Sequence, residues 1–199
     1  MVCKLLFTGQ LQGDTMEQLQ DEKLMDRFCA GDNSAFQLLF DKYKHRIFSY
    51  ICNVYEHDRS LAEDYTQEIF LRVIRYRDKF NSSMHFSSWL YTIAKNYCKN
   101  QIRYKSHRPE MLFGEDFKIL GIPEDSTFNL RNQELNSIIR NALAELPENL
   151  REVFVLREIE DMSFCEIAAT TGLKEGNIRT LLSRSKKQLR EKIKPYLEK

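Results

Sequence analysis

Helical intervals dominate the apolar positions of this chain. Leu24, Phe28 and Cys29 give an inward side to a short helix over Asp21–Ala30, ended by Gly31-Asp32-Asn33. Phe36, Leu39, Phe40, Tyr43, Ile47, Ile51 and Val54 mark a longer helix from Ser34 to about Tyr55, and Glu56-His57-Asp58-Arg59 follows as a polar connection. Tyr65, Ile69, Val73 and Tyr76 predict a third helix from Leu61 to about Lys79, broken by Asn81-Ser82-Ser83. Phe86, Leu90, Ile93, Tyr97 and Gln101 form one stripe of a fourth, from Phe86 to about Lys105.

Periodicity then lapses. Pro109 to Arg131 contains Gly114, Gly121 and Pro123 and reads as a linker. Leu135, Ile138, Ile139, Leu143 and Leu146 restore a helix that ends at Pro147, and Leu150, Val153, Phe154, Leu156 and Ile159 mark the next. Ser163-Phe164-Cys165-Glu166 has the form of a capping box, in which Ser and Glu satisfy each other's backbone donors at a helix start. Ile167 and Ala168 enter a short helix, and Gly172 stands where the chain must turn sharply. Helical spacing resumes with Ile178, Leu181, Leu182, Ser185 and Leu189. Two short helices joined by such a turn make a helix-turn-helix. The expectation is an all-α protein of two small helical domains: a tail over 1–20, a first domain over 21–107, a linker over 108–131 and a helix-turn-helix domain over 132–199.

Composition supports helices rather than a turn-rich β fold: 42% of residues are hydrophobic, with only 7 Gly and 4 Pro. The net charge of +1 conceals a pattern. Lys95 to Arg108 holds five cations and no acid, and Lys174 to Lys199 holds nine cations against three acids. Pro109 to Glu134, between them, holds six acids against two cations. Cys3, Cys29, Cys52, Cys98 and Cys165 are scattered and odd in number, which points to buried reduced thiols in a cytosolic protein rather than a disulfide framework or zinc site. No apolar run approaches membrane-spanning length.

Three constellations carry candidate chemistry. The polar face of the last helix bears Asn177, Arg179, Thr180, Ser183, Arg184, Lys186 and Lys187, side chains able to donate to base edges and phosphates in a major groove. Phe86 to Arg108 interleaves Phe86, Trp89, Tyr91, Tyr97 and Tyr104 with Lys95, Lys99, Arg103, Lys105 and Arg108, a mixture suited to single-stranded nucleic acid. Helical spacing alone explains Phe86, Leu90, Ile93 and Tyr97 as a core stripe, but it accounts neither for the cations nor for the polar approach Asn81-Ser82-Ser83-Met84-His85. Asp64, Gln67, Glu68, Leu71 and Arg72 share one helical surface, which spacing alone would leave as a solvated face.

Taken together, these segments resemble the extracytoplasmic-function sigma factors, small two-domain promoter-recognition subunits of bacterial RNA polymerase. Asp64-Tyr65-Thr66-Gln67-Glu68-Ile69-Phe70-Leu71-Arg72 is similar to the D-x-x-Q-E-x-F-L-R of the family's region 2.2. Phe86-Ser87-Ser88-Trp89-Leu90-Tyr91-Thr92-Ile93-Ala94-Lys95-Asn96 resembles the F-x-x-W-L-Y-x-I-A-x-N of region 2.3. Leu146-Pro147-Glu148-Asn149-Leu150-Arg151-Glu152-Val153 resembles an L-P-x-x-x-R-E-V opening in region 4, and Gly176 to Lys186 its G-x-V-K-x-R-L-x-R-A-R recognition helix. Leu181 departs from a position commonly Arg, and Thr170-Thr171 is more polar than the usual aliphatic pair.

The resemblance implies a non-catalytic, cytoplasmic subunit with no cofactor and no membrane insertion. Asp64, Gln67, Glu68 and Arg72 would dock on the clamp-helix coiled coil of the polymerase beta-prime subunit, with the beta subunit as a further contact. The loop Asn81, Ser82, Ser83, Met84, His85, with Phe86, would capture an extruded base of the minus-10 element, where a shaped pocket can recover the cost of unstacking. Lys95, Asn96, Lys99 and Arg103 would hold the nearby backbone. Asn177, Arg179, Thr180, Ser183, Arg184 and Lys187 would read the minus-35 duplex. The acidic linker would thread the polymerase cleft, and an anti-sigma factor would be a further partner. One rival is a stand-alone helix-turn-helix regulator, which would bind its duplex site without polymerase. An enzyme is the other; His45, His57, His85 and His107 are dispersed without metal spacing, and no phosphate loop or nucleophile elbow appears.

Overall fold

Seven inward positions of one helix organise the first half of the molecule. In the computed structural model, which describes residues 14–55, 58–106 and 138–197, helix α2 (Asn33–Val54) buries Ala35, Leu39, Tyr43, Ile47, Tyr50, Ile51 and Val54. Asp32 caps it, its carboxylate accepting from Ser34 N and Ala35 N and so satisfying donors left free in the first turn. Gly31, at φ 101°, makes the turn from the preceding helix, α1 (Asp14–Cys29). α1 presents Asp21, Leu24, Met25 and Phe28 to α2 at successive turns. It starts at Asp14, within the span expected as tail over 1–20; residues 1–13 lie outside the described residues.

Asp58 caps α3 (Arg59–Tyr76) in the same way, through Ser60 N and Leu61 N. A single tight turn, Arg77–Lys79, closes α3. α4 (Phe86–Ser106) follows the exposed loop 81–85. Its first backbone donor, Phe86 N, reaches the Glu22 carboxylate of α1 at 2.8 Å, an N-terminal cap supplied from 64 residues away. The linker expected over 108–131 lies outside the described residues, as do His57 and His107.

The second unit begins with helical residues 138–144, here α5. α6 (Glu148–Phe154) widens into a π turn over Val155–Ile159, where Glu160 N bonds to Val155 O at 3.0 Å. Asp161 then takes φ 54°, uncommon without glycine, and the chain reverses into α7 (Phe164–Thr171). The expected capping box is formed: Glu166 N donates to Ser163 Oγ at 3.2 Å and Ser163 N to Glu166 Oε2 at 2.8 Å. Gly172, at φ 75°, ends α7, and α8 (Glu175–Leu197) completes the helix-turn-helix.

A single apolar cluster runs from α1–α4 into Val153, Val155, Leu156, Met162, Ile167, Ile178 and Leu182 of the second unit. A smaller one joins α5, α6 and α8 through Ala142, Leu143, Leu146, Leu150 and Leu189. The two units therefore pack directly on each other, α7 against α4 and the α6 region against α2. Among the described residues no helix is long and apolar enough to cross a membrane.

Candidate nucleic-acid interface

α8 separates its two faces cleanly. Ile178, Leu182, Ser185 and Leu189 are buried, while Asn177, Arg179, Thr180, Ser183, Arg184 and Lys187 are all exposed. Ser185 is tolerated inside because its hydroxyl donates to Leu182 O at 2.8 Å. Arg179 is held over the Phe164 ring, 4.1 Å from its centroid, and pairs with Glu175 at 3.2 Å. The half-buried Leu181 packs against both apolar clusters, so a cation there would lie against the core. Thr170 and Thr171 spend their hydroxyls on the preceding turn, at Glu166 O and Ile167 O, which is how polar side chains fit an otherwise apolar α7.

The α3 surface is assembled as its spacing predicts. Asp64 and Gln67 are exposed, and Glu68 and Arg72 half-buried and paired at 3.1 Å. Arg72 lies 4.8 Å from the Tyr97 ring centroid, which fixes its long side chain. Leu71 and Ile74 are exposed beside them, so the surface is polar with an apolar margin.

The loop before α4 is organised by Asn81, whose Oδ1 accepts from Ser83 N at 3.0 Å. Asn81, Ser82, Ser83 and His85 are exposed. Phe86 is not: it is 0% exposed, with Tyr43, Phe80 and Trp89 around its ring. The expectation that Phe86 joins the loop in capturing a base is corrected; its ring is enclosed in the core, on the stripe that helical spacing also indicates. Leu90 is buried with it, and Ile93 and Tyr97 pack against the core. Among the cations of α4, Arg103 is exposed, as is Asn96; Lys99 pairs with Glu148 at 3.3 Å. Lys95 is largely covered, its side chain only 12% exposed, 3.3 Å from Glu152 and 3.4 Å from Thr171 O.

That last contact belongs to a group of residues the sequence reading missed. Three glutamates of the second unit are buried against the first. Glu152 accepts from Tyr50 and Tyr55 at 3.2 and 3.0 Å. Glu160 accepts from Tyr91 at 2.5 Å and from Arg46 Nε at 3.1 Å, while Arg46 Nη2 also reaches Glu160 O at 2.6 Å. Glu166 accepts from Ser87 at 2.7 Å. Burial pushes the Glu160 carboxyl above its ordinary range, against the opposing pull of Arg46 and the Tyr91 hydrogen bond. Burial also raises Tyr50 and Tyr91, so both phenols act as donors at neutral pH. The legible signal was an acid inside an apolar stripe: Glu152 lies on the same side of its helix as Leu156 and Ile159. Cys98 is buried and Cys29 and Cys52 half-buried, but Cys165 is exposed, against the expectation of buried thiols throughout. Among the described residues no cluster of His, Cys, Asp and Glu has the makings of a metal site.

The geometry is that of a two-unit helical protein whose second unit presents a helix-turn-helix. Residues 39–108 match the family described as Sigma-70 region 2, and residues 137–189 that described as Sigma-70, region 4. The chain is 31% identical to the RNA polymerase sigma-H factor of Pseudomonas aeruginosa over 191 residues, 92% of this chain and 98% of that one. It is 31% identical to the ECF RNA polymerase sigma-E factor of Escherichia coli over 189 residues, 91% and 98% of the two chains. Among solved structures, CnrH in complex with the cytosolic domain of CnrY matches with a TM-score of 0.65 at 20% identity, over 88% of this chain and 98% of that one. The sigma factor RpoE of Bartonella quintana, in complex with the anti-sigma factor NepR, matches with a TM-score of 0.65 at 22% identity, over 80% and 96%. The chain belongs to the extracytoplasmic-function group of sigma-70-like RNA polymerase sigma factors. Its function is promoter recognition in transcription initiation through region-2 and region-4 units, and it is not an enzyme.

Proposed function

We propose how this sigma factor divides promoter recognition among its own residues. The exposed row of α8, Asn177, Arg179, Thr180, Ser183, Arg184 and Lys187, reads the minus-35 duplex from the major groove. The observation that carries this is the separation of faces on α8: every candidate reader is exposed while Ile178, Leu182, Ser185 and Leu189 anchor the helix. Asn81, Ser82, Ser83 and His85 contact an extruded minus-10 base by their polar edges, with Phe86 anchoring the start of α4 in the core rather than stacking on the base. Lys95, Lys99 and Arg103 hold the adjoining backbone by charge and Asn96 by a hydrogen bond. The α3 surface of Asp64, Gln67, Glu68 and Arg72, with Leu71 and Ile74 at its margin, docks on the beta-prime clamp helices of core polymerase, and the beta subunit supplies a further contact. An anti-sigma factor is a partner of this chain, a reading supported by the likeness of its fold to that of RpoE, whose structure contains one.

The test is reconstitution with core polymerase. Gln67→Ala with Glu68→Ala should reduce co-purification with core and keep a cooperative melting transition, since exposed Gln67 shifts stability by about 0.5 kcal/mol or less and Glu68 adds only the loss of its half-buried pair with Arg72. Retained co-purification would remove α3 from the core interface. A stand-alone regulator, by contrast, would protect a promoter duplex from cleavage without polymerase at the concentration where it does so with polymerase.

A further inference from the structure

We propose that Glu22 of α1 is a positioning residue for minus-10 reading: its carboxylate holds the exit of the loop 81–85 and sets where His85 stands. This rests on the assignment of that loop to the minus-10 base. The two ends of the loop are held differently. Its entry is a local turn, in which Met84 N donates to Asn81 O and Ser83 N to Asn81 Oδ1, both at 3.0 Å. Its exit is His85, whose carbonyl accepts from Trp89 N at 3.2 Å and so occupies the cap position of α4. Histidine is not among the side chains that cap well, and the first donor of α4 is satisfied from α1 instead. Phe86 N donates to Glu22 Oε1 at 2.8 Å, and His85 Nδ1 stands 3.6 Å from the same oxygen. One carboxylate therefore meets both the last residue of the loop and the first of the helix.

Glu22 is itself fixed in place. The neighbouring Asp21 is pinned to α2, accepting from Tyr43 Oη at 2.6 Å and from Lys42 Nζ at 2.9 Å. Tyr43 in turn packs edge-on to Phe86, with ring centroids 5.4 Å apart. Two successive residues of α1 thus tie α2 to the start of α4. The Glu22 side chain is 13% exposed, so little water competes for its oxygen, and a carboxylate at this end of α4 also meets the positive end of the helix dipole. The His85 side chain, by contrast, is 49% exposed. With Nδ1 toward Glu22, its Nε2 is the ring nitrogen left for a base edge. A cap that served folding alone would need only the Phe86 contact. The second contact, to an exposed ring of the loop itself, is what joins Glu22 to the reading of the base.

The experiment uses holoenzyme on a promoter library randomised in the minus-10 and minus-35 elements, read by sequencing the transcripts. Glu22→Ala removes both contacts, Glu22→Gln keeps an oxygen for Phe86 N, and His85→Ala removes the ring alone. Glu22→Ala should lower discrimination at one minus-10 position by about fivefold, the shift that loss of one helix cap produces, and leave the minus-35 profile unchanged. Glu22→Gln should recover most of that discrimination, and His85→Ala should change the profile at the same position. Hydrogen exchange at the Phe86 amide of the full chain should quicken in Glu22→Ala and stay near wild type in Glu22→Gln. A wild-type minus-10 profile in Glu22→Ala, at whatever output, overturns the positioning role. If His85→Ala still shifts the profile, the loop keeps its assignment; wild-type profiles in both variants withdraw the loop as well. A loss spread evenly over both elements also overturns the proposal, because a role in folding alone produces that. Should Glu22→Ala fail to fold, Glu22→Asp shortens the reach by a methylene and replaces it: quickened exchange at Phe86 with an unaltered minus-10 profile overturns the proposal in the same way.

Discussion

α4 and α8 are helices of similar length, 21 and 23 residues, and both carry a row of cations, yet α4 covers one of its own, Lys95, while the α8 row stands exposed. The Arg179 side chain on α8 is 60% exposed, while the Lys95 side chain on α4 is 12% exposed. The difference lies in what accompanies the charges. On α8 one apolar stripe is buried and the opposite face is polar throughout, so a single contact surface satisfies the helix. α4 has two contact surfaces. Phe86, Leu90 and Ala94 face the first unit, and Ser87, Ser88, Tyr91 and Lys95 face the second, where the small serines let α7 approach closely. A charge at helical spacing thus defines a direction, and the small or phenolic neighbours beside it decide whether that direction leads to solvent or to another domain.

Substituting the residue that the two readings of α4 dispute should produce the largest effect. If Phe86 is core rather than part of the base-capturing loop, Phe86→Ala should cost about 3–5 kcal/mol of stability, as for other fully buried aromatics. Chemical denaturation measures this directly; a near-wild-type stability combined with lost minus-10 binding would restore Phe86 to the base. The next effect belongs to α8. Arg184→Ala should leave stability near wild type and weaken minus-35 binding by about 1–3 kcal/mol if Arg184 holds a base in bidentate fashion, and by less if it touches only phosphate. At roughly 1.4 kcal/mol per factor of ten, holoenzyme binding to promoter duplexes at physiological salt resolves these cases. Unchanged binding would make the exposed face of α8 a solvated surface at that position.

The helices that sequence located best were those with a single buried stripe and an explicit end signal. α7 illustrates this: Ser163 and Glu166 fixed its start, Gly172 its end, and both signals are local chemistry. α1 shows the opposite, because its first turns carry no apolar stripe and its start at Asp14 could not be seen. In the candidate site, the α8 and α3 faces were legible because exposure there follows from period alone. The cover over Lys95 was not, since it depends on Glu152, Glu160 and Glu166, and a carboxylate's burial is decided by partners 69 to 114 residues away. Glu22 capping α4 is the same kind of hidden contact. Phe86 was overdetermined: the family pattern pointed to a base and the spacing pointed to the core, and packing by Tyr43, Phe80 and Trp89 favours the core.

A smaller effect sharpens the contrast between loop and core. Ser82→Ala with Ser83→Ala removes two exposed hydroxyls and leaves Asn81 to shape the turn through Ser83 N. Stability should change by about 0.5 kcal/mol or less. Base tolerance in the minus-10 element should shift while minus-35 preference stays fixed, because a flipped base is read only by groups that touch its edge. Transcription from a randomised promoter library measures both profiles at once. An unaltered minus-10 profile at lower output would make the loop a positioning element.

Acid offers the gentlest probe, because it acts on a cap in one unit and leaves the base-reading side chains in place. Asp32 begins α2 and joins it to α1: its carboxylate accepts from Ser34 Oγ at 2.5 Å and pairs with Arg27 at 2.6 Å. The Ser34 hydrogen bond first, then the Arg27 pair, lower its pKa from 3.8 to about 2. A folded-state pKa below the unfolded one means that the native chain releases this proton more readily. The stability it contributes is therefore present above pH 3.8 and is lost as pH falls through about 2. Asp32→Asn keeps a capping oxygen but has no charge to titrate. The wild type should be the more stable of the two above pH 4, and the gap should close as the solution is acidified toward the lowered pKa. Denaturation midpoints measured in parallel along that range provide the check. A gap that stays constant with pH would mean that the charge of Asp32 adds nothing to the cap, and that the Arg27 contact joins α1 to α2 by shape alone.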